Sequence, residues 1–161
     1  MNALSYEHHP SPIGALTLGA TDDGLAMVAL PGDTTTETSE RPTPAQRAIL
    51  DQAHRELDEY FAGKRQHFDV ATDTRFLPEY NRVVLEKLAR VEYGTTTTYG
   101  TLAAQTGNPR AARAVGTVMH RNPIPIILPC HRVIGASGSL TGYAGGLDLK
   151  ERLLRLEGAI L

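Results

Sequence analysis

The chain has 161 residues, of which 41% are hydrophobic and 21% charged, and its net charge is −2. This composition is typical of a soluble globular protein with one large domain or two small ones. Its single cysteine, Cys130, excludes an internal disulfide framework and any cysteine-based zinc site, because both need several sulfur atoms. Neither a transmembrane run nor a signal peptide is recognisable, so we expect a cytoplasmic protein that does not bind membranes.

The N-terminal part predicts a small antiparallel sheet followed by a helix. Three strands are expected at 4–8, 15–20 and 25–30, and 32–41 is expected to be a solvated loop. Thr43 begins a helix with the pattern of a capping box, and Gly63 ends it. One more strand around 67–71 would complete the sheet. Periodicity is lost at 72–78, so we predict an N-terminal domain at 1–77 and a C-terminal domain at 78–161.

The C-terminal domain is predicted to be mostly helical, which makes the whole chain α+β. A first helix spans about 80–91, and a shorter helix spans about 99–106. Asn108 then caps a helix over about 110–120, with Pro109 at its first position. Helix, glycine-containing turn and helix form the pattern of a helix-turn-helix, although such hairpins are also common in purely structural roles.

A last helix begins at about Asp148. Four of its apolar side chains are expected to face the core: Leu149, Leu153, Leu156 and Ile160.

The two halves of the chain differ in charge. Residues 1–78 carry 6 basic and 12 acidic residues, whereas residues 79–161 carry 10 basic and 6 acidic ones. No acidic residue occurs between Tyr93 and Leu147, a stretch that contains four arginines. Such a stretch is typical of a surface that faces a polyanion, but apolar loops also lack acids, so its partner must be inferred from the motifs.

Cys130 lies between an apolar run and two basic neighbours, His131 and Arg132. Nearby positive charge stabilises a thiolate, so a lowered pKa and a nucleophilic role are expected for Cys130, with His131 as its base. The alternative is a buried structural thiol, which is the usual fate of a free cysteine. Glu157 is one of few acids in this half that could orient the histidine, but spacing by itself does not select it.

Several motifs in this half resemble the O6-alkylguanine-DNA alkyltransferases, also called methylated-DNA-protein-cysteine methyltransferases. The similarity covers about 80–157, and the order and spacing of the motifs make it specific. The N-terminal half resembles the family in its expected small sheet and helix, but its sequence is much less diagnostic. The motifs are Arg113-Ala114-Val115-Gly116, Asn122-Pro123, Ile126-Ile127-Leu128, Pro129-Cys130-His131-Arg132-Val133, Gly142-Tyr143-Ala144-Gly145-Gly146-Leu147 and Lys150.

The resemblance implies a catalytic role for five residues. Cys130 is similar to the alkyl acceptor, His131 to its water-bridged base and Glu157 to the carboxylate that polarises the histidine. Asn122 is similar to the residue that braces the turn before the active-site loop, and Tyr99 to the hydroxyl that protonates the departing guanine.

The resemblance also implies double-stranded DNA containing O6-alkylguanine as the partner. Arg113 is similar to the arginine that fills the gap left by a flipped base, and Arg110 and Ala112 lie beside it on the expected recognition helix. Tyr99 is expected to contact the DNA as well. The walls of the guanine pocket are expected to be Met119, Pro125, Val133, Tyr143 and Ala144. The implied protein is a monomer that acts once without a cofactor and is able to bind DNA cooperatively.

Some members of this family bind zinc in the N-terminal domain through cysteines and histidines. This chain has no cysteine there, so we predict no metal despite four histidines, His8, His9, His54 and His67.

Three other functions remain open at this stage. A non-catalytic member of the same fold would bind alkylated guanine, but such proteins lack the cysteine. A helix-turn-helix regulator with a sensory thiol would need base-reading side chains, which the alanine-rich helix scarcely offers. A Cys-His hydrolase would need an oxyanion hole, for which no motif stands out.

Overall fold

The computed structural model describes residues 4–33 and 39–161, so part of the predicted loop at 32–41 lies outside the described residues. The fold is α+β, as predicted, and the chain divides into two compact units, Met1–Phe76 and Leu77–Leu161. Among the described residues, no helix has both the length and the apolar character needed to cross a membrane.

The first unit contains a three-stranded antiparallel sheet. Its strands are β1 (Ser5–His9), β2 (Leu16–Ala20) and β3 (Leu25–Ala29), with β2 in the centre. A single helix, α1 (Pro44–Phe61), packs against this sheet. The predicted capping box is present: the Gln46 N–H donates to Thr43 Oγ1 at 3.1 Å, and the Thr43 N–H donates to Gln46 Oε1 at 2.9 Å.

Residues 67–71, all of which the structure describes, do not form the predicted additional strand. The backbone N–H groups of Asp69 and Val70 donate to Glu56 Oε1, at 2.8 and 3.0 Å, rather than to a neighbouring strand. At its end, the Ala71 carbonyl oxygen accepts the Leu25 N–H at 2.8 Å, and the next residue, Thr72, forms an isolated bridge with Leu25 of β3. The prediction was wrong because a buried glutamate of α1, distant in sequence, takes the N–H groups that a strand would use.

The second unit is mostly helical. Its first helix, α2 (Glu79–Leu88), is followed by a two-residue strand β4 (Thr97–Thr98) and the helix α3 (Tyr99–Gln105). Helix α4 (Ala112–His120), a short 3-10 turn (Cys130–Arg132), strand β5 (Val133–Ile134) and helix α5 (Leu147–Leu156) complete it. β4 and β5 pair in parallel, which fixes the beginning of α3 beside the chain that follows Cys130.

Three helix boundaries or faces differ from the predictions. Helix α2 ends at Leu88, because the chain turns there instead of continuing to 91. Helix α4 begins at Ala112, because Asn108 Oδ1 accepts the Arg110 N–H at 3.0 Å and so caps the turn before the helix.

The buried face of α5 consists of Lys150, Leu153 and Leu154, whereas Leu156 is 36% exposed. Burial of Leu153 is confirmed, Leu149 and Ile160 are half-buried, and the prediction was wrong for Leu156. A hydrophobicity pattern also does not anticipate the buried Lys150.

Candidate active site

The loop that leads into Cys130 is held by the side chain of Asn122. Its Nδ2 donates to the Leu128 carbonyl oxygen at 2.8 Å, and its Oδ1 accepts the Ile124 N–H at 3.0 Å. Within the same loop, Ile126 has a φ of 74°, a left-handed conformation that is unfavourable for a β-branched residue. The asparagine therefore braces a tight and strained turn shortly before the cysteine.

Cys130 is only 7% exposed and begins the 3-10 turn. Burial raises the pKa of its thiol to about 11, although Asn122, the Lys150 ammonium and the backbone N–H groups of the turn act in the opposite direction. The sequence-based expectation of a lowered pKa is therefore wrong for this structure. The basic neighbours do not compensate for the loss of water around the sulfur, and the thiol is protonated at neutral pH.

His131 and Glu157 form a buried pair. His131 Nε2 and Glu157 Oε2 are 2.7 Å apart, and both side chains are completely shielded from solvent. Burial lowers the pKa of His131, although the carboxylate of Glu157 raises it. The imidazole is thus neutral at neutral pH, and among the described residues its Nδ1 has no hydrogen-bond partner.

Arg132 binds the other side of the same carboxylate. Its Nε donates to Glu157 Oε1 at 2.7 Å, and its Nη2 donates to Glu157 Oε2 at 3.0 Å. Its Nη1 donates to the Val91 carbonyl oxygen at 2.7 Å, and the guanidinium lies 5.8 Å from the centre of the Tyr93 ring. The sequence indicated only a cation beside the cysteine, and it offered no signal that this arginine neutralises Glu157.

A small, partly open pocket lies at the cysteine. Five of its lining residues are predicted site residues, Tyr99, Met119, Cys130, Tyr143 and Ala144, and three more, Gly116, His120 and Gly142, were not predicted. Two predicted wall residues do not line this pocket. Pro125 is buried in the loop and forms a bridge with Leu128, and Val133 is completely buried in β5.

The hydroxyl group of Tyr99 contacts the loop that follows β5. Tyr99 Oη and Thr141 Oγ1 are 2.8 Å apart. Lys150 Nζ donates to the Thr141 carbonyl oxygen at 3.0 Å and to the Val133 carbonyl oxygen at 2.6 Å. Thr141 was not predicted as a site residue, and nothing in its local sequence distinguishes it from other threonines.

Three of the predicted DNA-binding residues lie in or just before the first turn of α4, and Tyr99 begins α3. Arg110 and Arg113 are exposed and Ala112 is half-buried. In the described part of the chain, neither arginine forms an ion pair, whereas most arginines of the first unit pair with a carboxylate. Both guanidinium groups are thus available to an anionic partner.

The whole chain is similar to a single family of proteins. Residues 79–159 match the family model "6-O-methylguanine DNA methyltransferase, DNA binding domain", and residues 4–74 match "6-O-methylguanine DNA methyltransferase, ribonuclease-like domain". The methylated-DNA–protein-cysteine methyltransferase of Methanosarcina acetivorans is 44% identical over 97% of this chain and 99% of its own length. Its counterpart from Mycolicibacterium paratuberculosis is 46% identical over 96% of this chain and 92% of its own length.

Solved structures agree with these sequence similarities. The Mycobacterium tuberculosis protein OGT, crystallised in complex with DNA, has a TM-score of 0.83 and 43% identity, covering 96% of this chain and 93% of its own. The O6-methylguanine-DNA methyltransferase of Pyrococcus kodakaraensis has a TM-score of 0.65 and 25% identity, covering 96% of this chain and 99% of its own.

Proposed function

The chain belongs to the 6-O-methylguanine DNA methyltransferases, and from that premise we propose which of its residues carry out the reaction and on which substrate. The protein repairs DNA by transferring an alkyl group to a cysteine of its own. Cys130 is the only cysteine in the sequence, and it lines the pocket. This single observation carries the assignment of Cys130 as the acceptor.

The proposed substrate is O6-alkylguanine in double-stranded DNA. The O6 atom of a paired guanine is inside the duplex, so the nucleotide must rotate out of the stack at a cost of a few kcal/mol. Arg113 is exposed at the start of α4, which supports its proposed role of filling the vacated space. The flipped base then enters the pocket beside Cys130.

In the proposed reaction, the sulfur of Cys130 attacks the alkyl carbon as the bond from that carbon to O6 breaks. The thiol is protonated at neutral pH, so its proton must leave during the attack. Neutral His131 takes the proton, directly or across one water molecule, and Glu157 stabilises the resulting imidazolium. Guanine leaves with the electron pair of the broken bond and receives a proton from Tyr99.

The product is a thioether on Cys130, which is a very poor leaving group. Each molecule is therefore expected to act once and to remain alkylated. The experiment that tests this function is intact-mass analysis after incubation with a duplex that contains one O6-methylguanine. The mass should rise by one methylene at a ratio of one per molecule, and the gain should be absent with Cys130→Ser or with an unmodified duplex. Repair of many duplexes by each molecule would contradict the proposal.

A further inference from the structure

Thr141 is the residue that contacts the hydroxyl group of Tyr99. Their oxygen atoms are 2.8 Å apart although the residues are 42 positions apart in sequence. Both side chains are half-buried, so the hydrogen bond is partly shielded from water. Either hydroxyl is able to donate to the other, since each carries one proton and free lone pairs.

The position of Thr141 is itself fixed from the opposite side. Lys150, completely buried in α5, donates from Nζ to the carbonyl oxygens of Thr141 and Val133. One ammonium group therefore ties the loop before the turn at residues 143–146 to strand β5. A satisfied buried cation of this kind is costly to displace, so the loop is held firmly.

Tyr99 is fixed in the same framework. It is the first residue of α3, whose N-cap Thr98 accepts the Thr101 N–H at 3.1 Å. Thr98 also pairs with Ile134 of β5. Both ends of the hydrogen bond between Tyr99 and Thr141 are thus anchored to β5, so the phenol has little freedom to turn away from the pocket.

We propose that Thr141 is a positioning residue for alkyl transfer, which orients the Tyr99 hydroxyl and donates a hydrogen bond to its oxygen as that oxygen gives its proton to the departing guanine. The inference rests on the proposed function of Tyr99. One proton moves, from Tyr99 to guanine, and Thr141 keeps its own. The hydrogen bond from Thr141 then becomes charge-assisted, which makes it stronger in the transition state than before the reaction.

A set of four variants tests this role: Thr141→Val, Thr141→Ser, Tyr99→Phe and the double variant Tyr99→Phe with Thr141→Val. Valine has nearly the shape of threonine without the hydroxyl, and serine keeps the hydroxyl. First-order rates of alkyl transfer are measured with an O6-methylguanine duplex in excess, and binding of the duplex is measured separately. Thermal melting identifies any variant that does not fold.

We expect Thr141→Val to slow transfer about three- to tenfold, the value of one hydrogen bond, with unchanged duplex affinity. Thr141→Ser should retain a rate close to that of the unmodified protein. In the Tyr99→Phe background the valine substitution should cause no further slowing, because the partner hydroxyl is already absent. A merely structural threonine would slow both backgrounds equally.

Three outcomes overturn the inference: an unchanged rate with Thr141→Val, equal slowing in both backgrounds, or a serine variant as slow as the valine variant. If Tyr99→Phe transferred the alkyl group at the rate of the unmodified protein, the proposed function of Tyr99 itself would fail. If the valine variant does not fold, the serine variant and an alanine substitution at Thr141 in both backgrounds provide the same comparison.

Discussion

His131 Nε2 lies 2.7 Å from a carboxylate oxygen of Glu157, with both side chains buried. Burial favours the neutral imidazole and the carboxylate favours the cation, and burial is the stronger of the two influences on the pKa of His131. The neutral histidine is consequently able to accept a proton. The positive charge that it then acquires is stabilised by the carboxylate of Glu157, which is already hydrogen-bonded to it. This balance suits a base that works once, next to a thiol that is protonated at rest.

Glu157→Gln tests that balance. The amide still fills the space, but it cannot stabilise an imidazolium, so the rate of alkyl transfer should fall about tenfold to a hundredfold. The variant should also lose about 3–5 kcal/mol of unfolding free energy, because Arg132 remains buried without its carboxylate. Single-turnover rates per folded molecule, with the folded fraction taken from circular dichroism, measure the first effect separately from the second.

The matched control is Glu151→Gln in α5, the helix that ends just before Glu157. The Glu151 side chain is 41% exposed, and its ion pair is with Arg155, four residues later. Its rate and stability should stay close to those of the unmodified protein. If Glu157→Gln transferred the alkyl group as fast as Glu151→Gln, Glu157 would have no part in the reaction.

The reactivity of the thiol should depend steeply on pH. With a pKa of about 11, about one Cys130 thiol in ten thousand is ionised at pH 7, and this fraction rises about tenfold for each pH unit up to pH 10. The rate of alkylation by iodoacetamide should rise in parallel. Protein unfolded in urea is the control, and its rate should level off near the ordinary cysteine pKa of about 8.5. A plateau near pH 7 in the folded protein would show a thiolate at rest.

Arg113→Ala should affect two substrates unequally. Loss of the side chain removes the group proposed to occupy the space of the flipped base, so transfer from duplex DNA should fall roughly tenfold or more. Transfer from the free O6-methylguanine base needs no flipping and should change less than about twofold. Single-turnover rates on the two substrates measure this difference, and equal losses would exclude a role for Arg113 in base flipping.

The first unit should lose stability in acid through Asp73. Its carboxylate accepts hydrogen bonds from Arg75 at 2.9 Å and from Thr21 at 2.6 Å, and Arg75 above all lowers the pKa of Asp73 from 3.8 to about 2. The unfolded chain therefore binds a proton more readily than the folded one between these values. The stabilisation is complete above about pH 4 and is lost as the pH falls towards 2.

Urea unfolding of the unmodified protein and of Asp73→Asn measures this contribution at pH 7 and at pH 2. The difference in unfolding free energy between the two proteins should shrink by about 2 kcal/mol at the lower pH. Asp69→Asn is the control, because the Asp69 side chain is 74% exposed. A difference independent of pH would contradict the prediction.

The features that were predicted correctly from the sequence are local ones. The strands β1 to β3 are short segments bounded by turn residues, and the capping box of α1 needs only Thr43 and Gln46, three residues apart. The helix-turn-helix follows from the glycine turn between α3 and α4. The motif around Cys130 and the order of the neighbouring motifs were enough to identify the family, because these motifs consist of consecutive residues.

Other features depend on residues that are distant in sequence. The sequence by itself determined the α+β fold, the family and a single candidate nucleophile. Only the tertiary structure decided that Cys130 rests as a protonated thiol, that Arg132 shares Glu157 with His131, and that Tyr99 is held by Thr141. The physical reason is that helix periods, caps and turns are properties of neighbouring residues, whereas burial and the pairing of polar groups depend on which remote segments exclude water from them.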